Sequence, residues 1–130
     1  MSTSQSARPP RILIVEDEFL IRLTLVEALS DEGFDVIEAE TGDAALPLLE
    51  ADPTIRVLLT DIQLPGALNG TRLAERARAS RPSLPILFMT GRPDPTVQSN
   101  ASPLDRYIAK PYTLNDICSA VRALAGQMAV

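Results

Sequence analysis

Residues 12–18 read Ile-Leu-Ile-Val-Glu-Asp-Glu, four consecutive apolar residues followed directly by three acids. An apolar run that does not alternate with polar residues is typical of a strand covered on both faces, as in a parallel sheet. Residues 19–30 then carry apolar side chains at helical spacing, and Gly33 lies where a helix would end. The stretch therefore predicts a strand-to-helix unit with carboxylates at the carboxyl end of the strand.

The rest of the chain alternates in the same way between short apolar runs and helix-like segments. Five strands that alternate with helices predict an α/β fold with a doubly wound parallel sheet. We expect the second helix to be kinked, short or partly irregular, because an interior proline, here Pro47, costs roughly 3 kcal/mol. The further predicted strands are residues 34–38, 55–60, 84–89 and 107–109, and the further predicted helices are residues 42–50, about 71–80 and 114–124.

One segment breaks this alternation, the stretch from Arg92 to Pro103 between the last two strands. It contains three prolines together with several Ser and Asn residues, a poor composition for a helix. We therefore expect a loop there, with a fourth helix that is at most short or irregular.

The length and the charge of the chain limit the number of domains it can contain and the kinds of partner it can bind. The 130 residues fit one ordinary domain. The initial Met, and an end shortly after the last predicted helix, favour a complete small protein. We expect a flexible N-terminal tail at residues 1–10, the domain at residues 11–126 and a C-terminal end at residues 127–130.

The 12 basic and 17 acidic residues give a net charge of −5, which argues against a domain that binds the phosphate backbone of DNA.

The sequence contains no signal for export or for insertion into a membrane. No apolar stretch approaches the ~20 residues needed to cross a bilayer, and the first ten residues lack the apolar core of a signal peptide. The single Cys cannot form an internal disulfide. The expected setting is therefore the cytoplasm, without a membrane partner.

The sequence contains no histidine. This excludes the commonest general base, the commonest metal ligand and any histidine-based catalytic triad. Chemistry at a site in this chain must therefore depend on carboxylates, lysine, threonine or the backbone.

Polar residues follow the apolar runs at the points where the predicted strands end. In doubly wound sheets, ligands bind beyond the carboxyl ends of the strands. Each such residue alone is more often a solvated or capping side chain, but their joint placement at successive strand ends favours a common site. They are Glu16, Asp17, Asp61, Thr90 and Lys110.

The chemistry of these residues suits a cation and a phosphoryl group. Clustered carboxylates repel one another, so either their pKa values rise or a cation lies among them. An all-oxygen site of this kind suits Mg²⁺. Lys110 could hold a phosphoryl oxygen and Thr90 could donate a hydroxyl. Asp61 is then the candidate nucleophile.

The pattern resembles the receiver domain of two-component response regulators, the CheY-like family, over about residues 11–126. The resemblance implies a (βα)5 flavodoxin-like sheet with strand order 2-1-3-4-5. It also implies that Asp61 accepts a phosphoryl group from a phosphohistidine on a partner, either a histidine kinase or a histidine phosphotransfer protein. The partner is required because this chain has no histidine.

The same resemblance implies a role for each residue near the acceptor. Mg²⁺ would be bound by Asp17, by Asp61 and by the backbone carbonyl of Gln63, with Glu16 assisting through water. Lys110 would contact the phosphoryl group. Thr90 and Tyr107 match the pair that rearranges on phosphorylation, and Lys110-Pro111 matches a peptide that is usually cis. The domain would then signal to a downstream protein target and would not act as an enzyme on free substrates.

Two departures from the family pattern stand out. Gly70 lies nine residues after Asp61, where the family usually has eight, and Asn69 replaces the usual acid. Residues 85–91 partly resemble a variant receiver subgroup written P-F-x-F-A-T-G. Together with the proline-rich stretch that follows, this favours a shortened or remodelled fourth helix.

Three other interpretations are open. The chain could be a receiver domain from a hybrid histidine kinase. It could be a small Mg²⁺-dependent phosphohydrolase or a Toprim-like enzyme, although these normally need an Asp-x-Asp pair and Asp61 is followed by Ile62 and Gln63. It could also be a binding module that is not phosphorylated, against which the complete set of strand-end residues argues.

Overall fold

The five strands of the computed structural model form one parallel sheet in the order β2-β1-β3-β4-β5. The structure describes residues 8–91 and 103–129. The strands are β1 (Arg11–Val15), β2 (Asp35–Ala39), β3 (Ile55–Asp61), β4 (Ile86–Thr90) and β5 (Asp105–Ala109). The helices are α1 (Phe19–Asp31), α2 (Gly42–Ala51), α3 (Gly70–Ser80) and α4 (Leu114–Ala129).

The unbroken apolar runs of the central strands fill two cores, one on each face of the sheet. In β1, Ile12 and Ile14 belong to the core that packs against α1 and α4, whereas Leu13 and Val15 belong to the core that packs against α2 and α3. All four side chains are fully buried. Full burial of such a side chain contributes roughly 1.5–3 kcal/mol. Burial on both faces explains why β1 has no polar residue after Arg11.

The predicted fold is confirmed in its class and in its strand order. The predicted strands and the helices that the structure describes are all present, with ends that differ by one or two residues for most of them. The prediction of a short or irregular fourth helix falls on residues 92–102 and lies outside the described residues. The first seven residues of the predicted tail also lie outside them, so the division into tail, domain and C-terminal end stays a prediction.

The second helix, α2, is continuous from Gly42 to Ala51 with Pro47 inside it, so the proline does not interrupt it, and the expected kink stays a prediction. The helix is held at its start by the Thr41 hydroxyl, which accepts a hydrogen bond from the Ala44 amide, and along its buried face by Leu49 and its neighbours. Pro47 and Asp43 are both exposed. The carbonyl of Asp43, which a proline four residues later cannot bond, can therefore be hydrated, and this lowers the cost of the proline.

None of the helices that the structure describes has the length and the apolar character that a membrane span requires.

Candidate functional site

The register of the sheet brings the polar strand ends to one edge. Val15 at the end of β1 is opposite Thr60 in β3, so the residues that follow, Glu16 and Asp61, are neighbours at the carboxyl edge. Thr90 ends β4 and is opposite Ala109 at the end of β5, so Lys110 follows beside it. The five residues that the sequence placed at strand ends therefore lie along the same rim.

Asp61 is the most constrained carboxylate of this rim. Its side chain is only 5% exposed. Its Oδ2 atom accepts a hydrogen bond of 2.6 Å from Lys110 Nζ, and its Oδ1 atom accepts one of 3.1 Å from the backbone N–H of Gln63. Burial lowers the pKa of Lys110, but the hydrogen bond and charge of Asp61, together with the charge of Glu16, outweigh burial and raise that pKa above its ordinary value. Lys110 is therefore charged and tied to Asp61 at neutral pH.

Glu16, Asp17 and Asp61 each offer an oxygen atom, and these oxygens all lie within 4.8 Å of one another. Glu16 is buried, whereas Asp17 is exposed. Burial, and then the charge of Asp61, raises the pKa of Glu16 to about 7, although the backbone N–H of Glu18 and the charge of Lys110 act in the opposite direction. The three acidic side chains therefore form a crowded cluster, which we call the acidic cluster, in which the charged form of Glu16 is disfavoured.

The acidic cluster fits a hard divalent cation. Glu16 Oε2 accepts a hydrogen bond from the Glu18 amide at 3.0 Å. Its Oε1 atom is buried and has no hydrogen-bond partner among the residues that the structure describes. An unsatisfied carboxylate oxygen is costly to bury, and a cation between the carboxylates would remove that cost. Oxygen ligands with one exposed carboxylate, which leaves room for water, are the donor set that Mg²⁺ prefers.

An open depression of about 530 Å³ lies at the Asp61 carboxylate and is lined by Asp61, Gln63, Gly91 and Lys110. Thr90 precedes Gly91 in the chain: its side chain is buried, and its carbonyl accepts a 2.8 Å hydrogen bond from the backbone N–H of Lys110. A small anion can thus reach Asp61 from solvent.

Tyr107 lies in β5, two residues before the end of that strand. It is half-buried, and its ring stacks on Phe88 with centroids 4.8 Å apart and an angle of 18° between the planes. Burial, and then the charge of Asp105, raises the pKa of its phenol. In this structure Tyr107 is packed into the core of the α2 and α3 face, and its role as a switch stays a prediction. The Lys110-Pro111 peptide is cis, as expected.

The loop after Asp61 accommodates the unusual spacing of Gly70. A Cβ atom on Gly70 would lie 2.2 Å from the carbonyl oxygen of Asp61, and the Gly70 amide donates to Ile62 O at 2.9 Å. Asn69 caps α3, because its side chain accepts a hydrogen bond from the Arg72 amide at 2.9 Å. With this spacing, the start of α3 packs directly against Asp61.

An exposed apolar patch flanks the rim on α1 and at the start of α4. Phe19 is 62% exposed and Leu20 is 72% exposed. Leu20 also lines a surface pocket of about 240 Å³ with Tyr112 and Leu114. Burial, and then the charge of Glu16, raises the pKa of Tyr112, which places this pocket next to the acidic cluster. We call the surface formed by Phe19, Leu20, Tyr112 and Leu114 the apolar patch.

Sequence reasoning missed Arg22. Its side chain is 9% exposed and donates a 2.7 Å hydrogen bond to the carbonyl of Glu16. A signal was available, because residues 22, 25 and 29 form the buried face of α1. An arginine on such a face needs acidic or carbonyl partners, and Glu38 lies near the end of β2.

Comparison with known proteins agrees with this geometry. The family model described as "Response regulator receiver domain" matches residues 12–122. The chain is 34% identical over 120 residues to the response regulator MprA of Mycolicibacterium vanbaalenii, a match that covers 89% of this chain and 50% of the relative. It is 33% identical over 120 residues to the response regulator receiver protein CpdR of Brucella abortus, covering 88% of this chain and 95% of the relative.

A solved structure gives the same result. The response regulator receiver protein from Sinorhizobium medicae superposes with a TM-score of 0.84 at 28% identity, over 92% of this chain and 97% of that chain. The present chain spans about half the length of the first relatives it matches. Receiver domains are the signalling domains of two-component systems; they bind Mg²⁺ at an acidic pocket and interact with histidine kinases or phosphotransfer proteins. The chain belongs to the family of response regulator receiver domains, as its strand order, its rim of acidic residues and lysine, and these matches show.

Proposed function

We propose that this chain is a single-domain response regulator that accepts a phosphoryl group on Asp61 from a phosphohistidine of a partner protein. The observation that carries the proposal is the buried Asp61 carboxylate, which is paired with Lys110 on one side, adjoins Glu16 and Asp17 on the other, and opens to solvent through a depression large enough for a phosphoryl group. Family membership supports this assignment.

The reaction can be written from this geometry. A carboxylate oxygen of Asp61 attacks phosphorus, the bond between phosphorus and the histidine nitrogen breaks, and the imidazole leaves with the electron pair of that bond. The product is an aspartyl phosphate. Lys110 then exchanges the Asp61 oxygen for an oxygen of the phosphoryl group, and the Thr90 hydroxyl donates to a second oxygen. Attack of water on phosphorus later releases phosphate and regenerates Asp61.

The acidic residues divide between two roles. Asp17 and Asp61, with the backbone carbonyl of Gln63, would hold Mg²⁺, and Glu16 would bind one of its waters. When bound, Mg²⁺ supplies positive charge that reduces the repulsion between the carboxylates and an incoming phosphoryl group. The unpaired Oε1 atom of Glu16 and the raised pKa of that residue support this assignment.

The phosphoryl donor would dock on the apolar patch. Its histidine must approach Asp61 within bonding distance, so the donor must cover the surface beside the rim. Phe19 and Leu20 are largely exposed there, and exposed apolar side chains grouped in this way are typical of protein-binding surfaces. We therefore propose a histidine kinase or phosphotransfer protein as the occupant. The net charge of −5 argues against DNA as a partner of the domain.

The single-domain status and a cytoplasmic location are part of the proposal. The match to CpdR, which extends over 95% of that relative, supports a protein that consists of a receiver domain and signals by contact with a downstream protein. Detection of the native protein near 14.0 kDa in the soluble fraction of its source would agree. A larger native product would instead indicate a receiver attached to another domain.

The phosphorylation proposal is tested by incubating the protein with acetyl phosphate and Mg²⁺ and measuring the intact mass. We expect one phosphoryl adduct that is lost in mild base, and no adduct in Asp61→Asn. A matched control is Asp31→Asn at the exposed end of α1, which should be modified like the unsubstituted protein. An unmodified protein under all conditions, or an adduct that persists in Asp61→Asn, would contradict the proposal.

If the same residues instead formed the active site of a phosphohydrolase, a different experimental result would be expected. Such an enzyme would turn over a free phosphate ester without a partner protein, at a rate far above the decay of any adduct on Asp61. We expect no such turnover, since the residue two positions after Asp61 is Gln63 and a second acid is missing there.

A further inference from the structure

Arg22 is a buried arginine next to the acidic cluster that the proposed phosphoryl chemistry does not use. It lies on α1 in line with Leu25 and Leu29, on the face that packs against the sheet. Burial of a guanidinium is costly unless its N–H groups are bonded. Its partners therefore show what the residue does.

The guanidinium of Arg22 joins two chain segments. Its Nη1 atom donates to the carbonyl oxygen of Glu16 at 2.7 Å, and its Nε atom donates to Glu38 Oε1 at 2.8 Å. Glu16 belongs to the turn after β1, whereas Glu38 lies near the end of β2. The ring of Phe19 lies 5.6 Å from the guanidinium carbon and covers it. The planar group thus spans from β2 to the turn that carries Glu16 and Asp17.

These contacts complete the fixation of Glu16. Its backbone N–H donates to Ala39 O at 3.2 Å, its carbonyl is bound by Arg22, and its Oε2 atom accepts from the Glu18 amide. The carbonyl of Glu16 belongs to the peptide plane that leads into Asp17. A hydrogen bond to that carbonyl therefore fixes the direction in which both acidic side chains leave the backbone.

We propose that Arg22 is a positioning residue, which holds the peptide between Glu16 and Asp17 so that their carboxylates meet Asp61 in an arrangement that binds a divalent cation. The inference rests on the Mg²⁺ site of the proposed function. Arg22 touches neither the cation nor the phosphoryl group and acts through the backbone of two ligands. Partners of this kind typically change metal affinity by 10–100-fold.

A positioning role and a simple charge effect predict changes of opposite sign. Arg22 carries a positive charge beside a cation site, so its removal would strengthen Mg²⁺ binding if charge alone mattered. If Arg22 positions the ligands, its removal weakens Mg²⁺ binding in spite of the gain in negative potential. The sign of the change therefore separates the two roles.

The experiment compares three variants with the unsubstituted protein in Mg²⁺ titrations followed by amide NMR spectra. Arg22→Met keeps the length of the side chain and removes its donors, and we expect Mg²⁺ to bind about tenfold more weakly. Arg22→Lys keeps the charge but cannot make both bonds, and we expect a loss in the same direction. Glu38→Gln is the matched control: it removes the charge of one partner of Arg22, keeps an oxygen that can accept from Nε and leaves the bond to Glu16, so affinity should stay within about threefold of the unsubstituted protein.

A second readout needs no metal. In the metal-free protein we expect the amides of Glu16 and Glu18, which are hydrogen-bonded in this structure, to exchange with solvent faster in Arg22→Met than in Glu38→Gln. Global unfolding measured on the same samples separates a local effect from a general loss of stability. If Arg22→Met does not fold, Arg22→Lys provides both readouts.

Two results would overturn the inference: Mg²⁺ affinity in the arginine variants that equals or exceeds that of the unsubstituted protein, or unchanged exchange of both amides. If the unsubstituted protein itself bound no Mg²⁺, the proposed cation site would be wrong and the positioning of a cation site by Arg22 would fall with it. If it bound Mg²⁺ and the arginine variants bound equally well, the inference alone would fail.

Discussion

Lys110 Nζ lies 2.6 Å from Asp61 Oδ2, so this buried carboxylate is paired with an ammonium group. The other oxygen of Asp61 accepts from the Gln63 amide. Both oxygens are therefore held in place, and the carboxylate has a fixed orientation towards the depression. The pairing also makes Lys110 a reporter of events at Asp61, since it is the one lysine in the sequence.

The first prediction concerns the pKa of Lys110. Protein labelled with ¹³C-lysine should give one side-chain signal to titrate. We expect its pKa to lie above 10.5 in the unsubstituted protein, because Asp61 and Glu16 favour the charged amine. In Asp61→Asn the hydrogen bond to a charged partner is lost while burial continues to lower the pKa, so the value should fall. Glu38→Gln, away from Lys110, serves as the control, and an equal fall there would contradict the assignment.

The second prediction concerns Glu16 and pH. The pKa of Glu16 is about 7 in the folded chain against 4.5 for an unperturbed glutamate. Between these values the native state binds more protons than the unfolded state, so the free energy of unfolding must fall as pH rises from about 4.5 to about 7. Glu16→Gln cannot titrate and should lack this fall. Between pH 5 and pH 8, the free energy of unfolding of the unsubstituted protein should fall by roughly 1–2 kcal/mol more than that of Glu16→Gln, after allowance for solvent screening.

Urea unfolding at pH 5 and pH 8, with and without Mg²⁺, measures this effect. We expect Mg²⁺ to restore the stability of the unsubstituted protein at pH 8 and to affect Glu16→Gln less. Equal pH dependence in the two proteins would show that Glu16 titrates normally.

The third prediction tests the close approach of α3 to the backbone of Asp61. In Gly70→Ala the new Cβ atom would lie 2.2 Å from Asp61 O and 2.8 Å from the Cα atom of Ile62, so the backbone must move. We expect a loss of at least about 1–3 kcal/mol in the free energy of unfolding, together with slower phosphorylation by acetyl phosphate.

Gly126→Ala is the matched control for this substitution. A Cβ atom there meets nothing within 4 Å, and Gly126 lies inside α4. Alanine favours the helix by about 0.5–1 kcal/mol over glycine, so this variant should be more stable and should be phosphorylated at the normal rate. Similar losses in both variants would argue against a special role for the contact with Asp61.

The fourth prediction separates donor docking from chemistry. Leu20→Asn in the apolar patch removes an exposed apolar side chain, so it should leave phosphorylation by acetyl phosphate within about twofold. It should slow transfer from a phosphorylated histidine donor by about fivefold or more, as expected for a residue in the centre of an interface. Leu48→Asn, at an exposed leucine on α2, is the control. Equal effects of the two substitutions on transfer would show that the patch is not the docking surface.

Much of the rim could be predicted from sequence because it depends on backbone topology. Asp61 and Thr90 follow runs of buried residues, and parallel strands bring their carboxyl ends to one edge whatever the details of packing. The cis peptide before Pro111 was also expected correctly.

The missed features depend on packing between segments that are distant in sequence. The burial of Arg22 requires Glu38 near the end of β2 and the Glu16 carbonyl in the turn after β1, and hydropathy alone does not place an arginine on the inner face of α1. Arg78 on α3 is half-buried and bonds to Asp105 at 2.7 Å, a contact between distant segments that the pattern of the helix alone does not predict. The continuity of α2 through Pro47 likewise goes with the exposed positions of Pro47 and Asp43, which no local propensity describes.

The strand order has a consequence for the electric field at the rim. Because β3 lies between β1 on one side and β4 and β5 on the other, Asp61 has the carboxylates of Glu16 and Asp17 on one flank and the amine of Lys110 on the opposite flank. The potential therefore changes sign across the width of a few strands. In the proposed function, a divalent cation and an anionic phosphoryl group would therefore approach the same carboxylate from opposite flanks, and neither would have to displace the other on its way to Asp61.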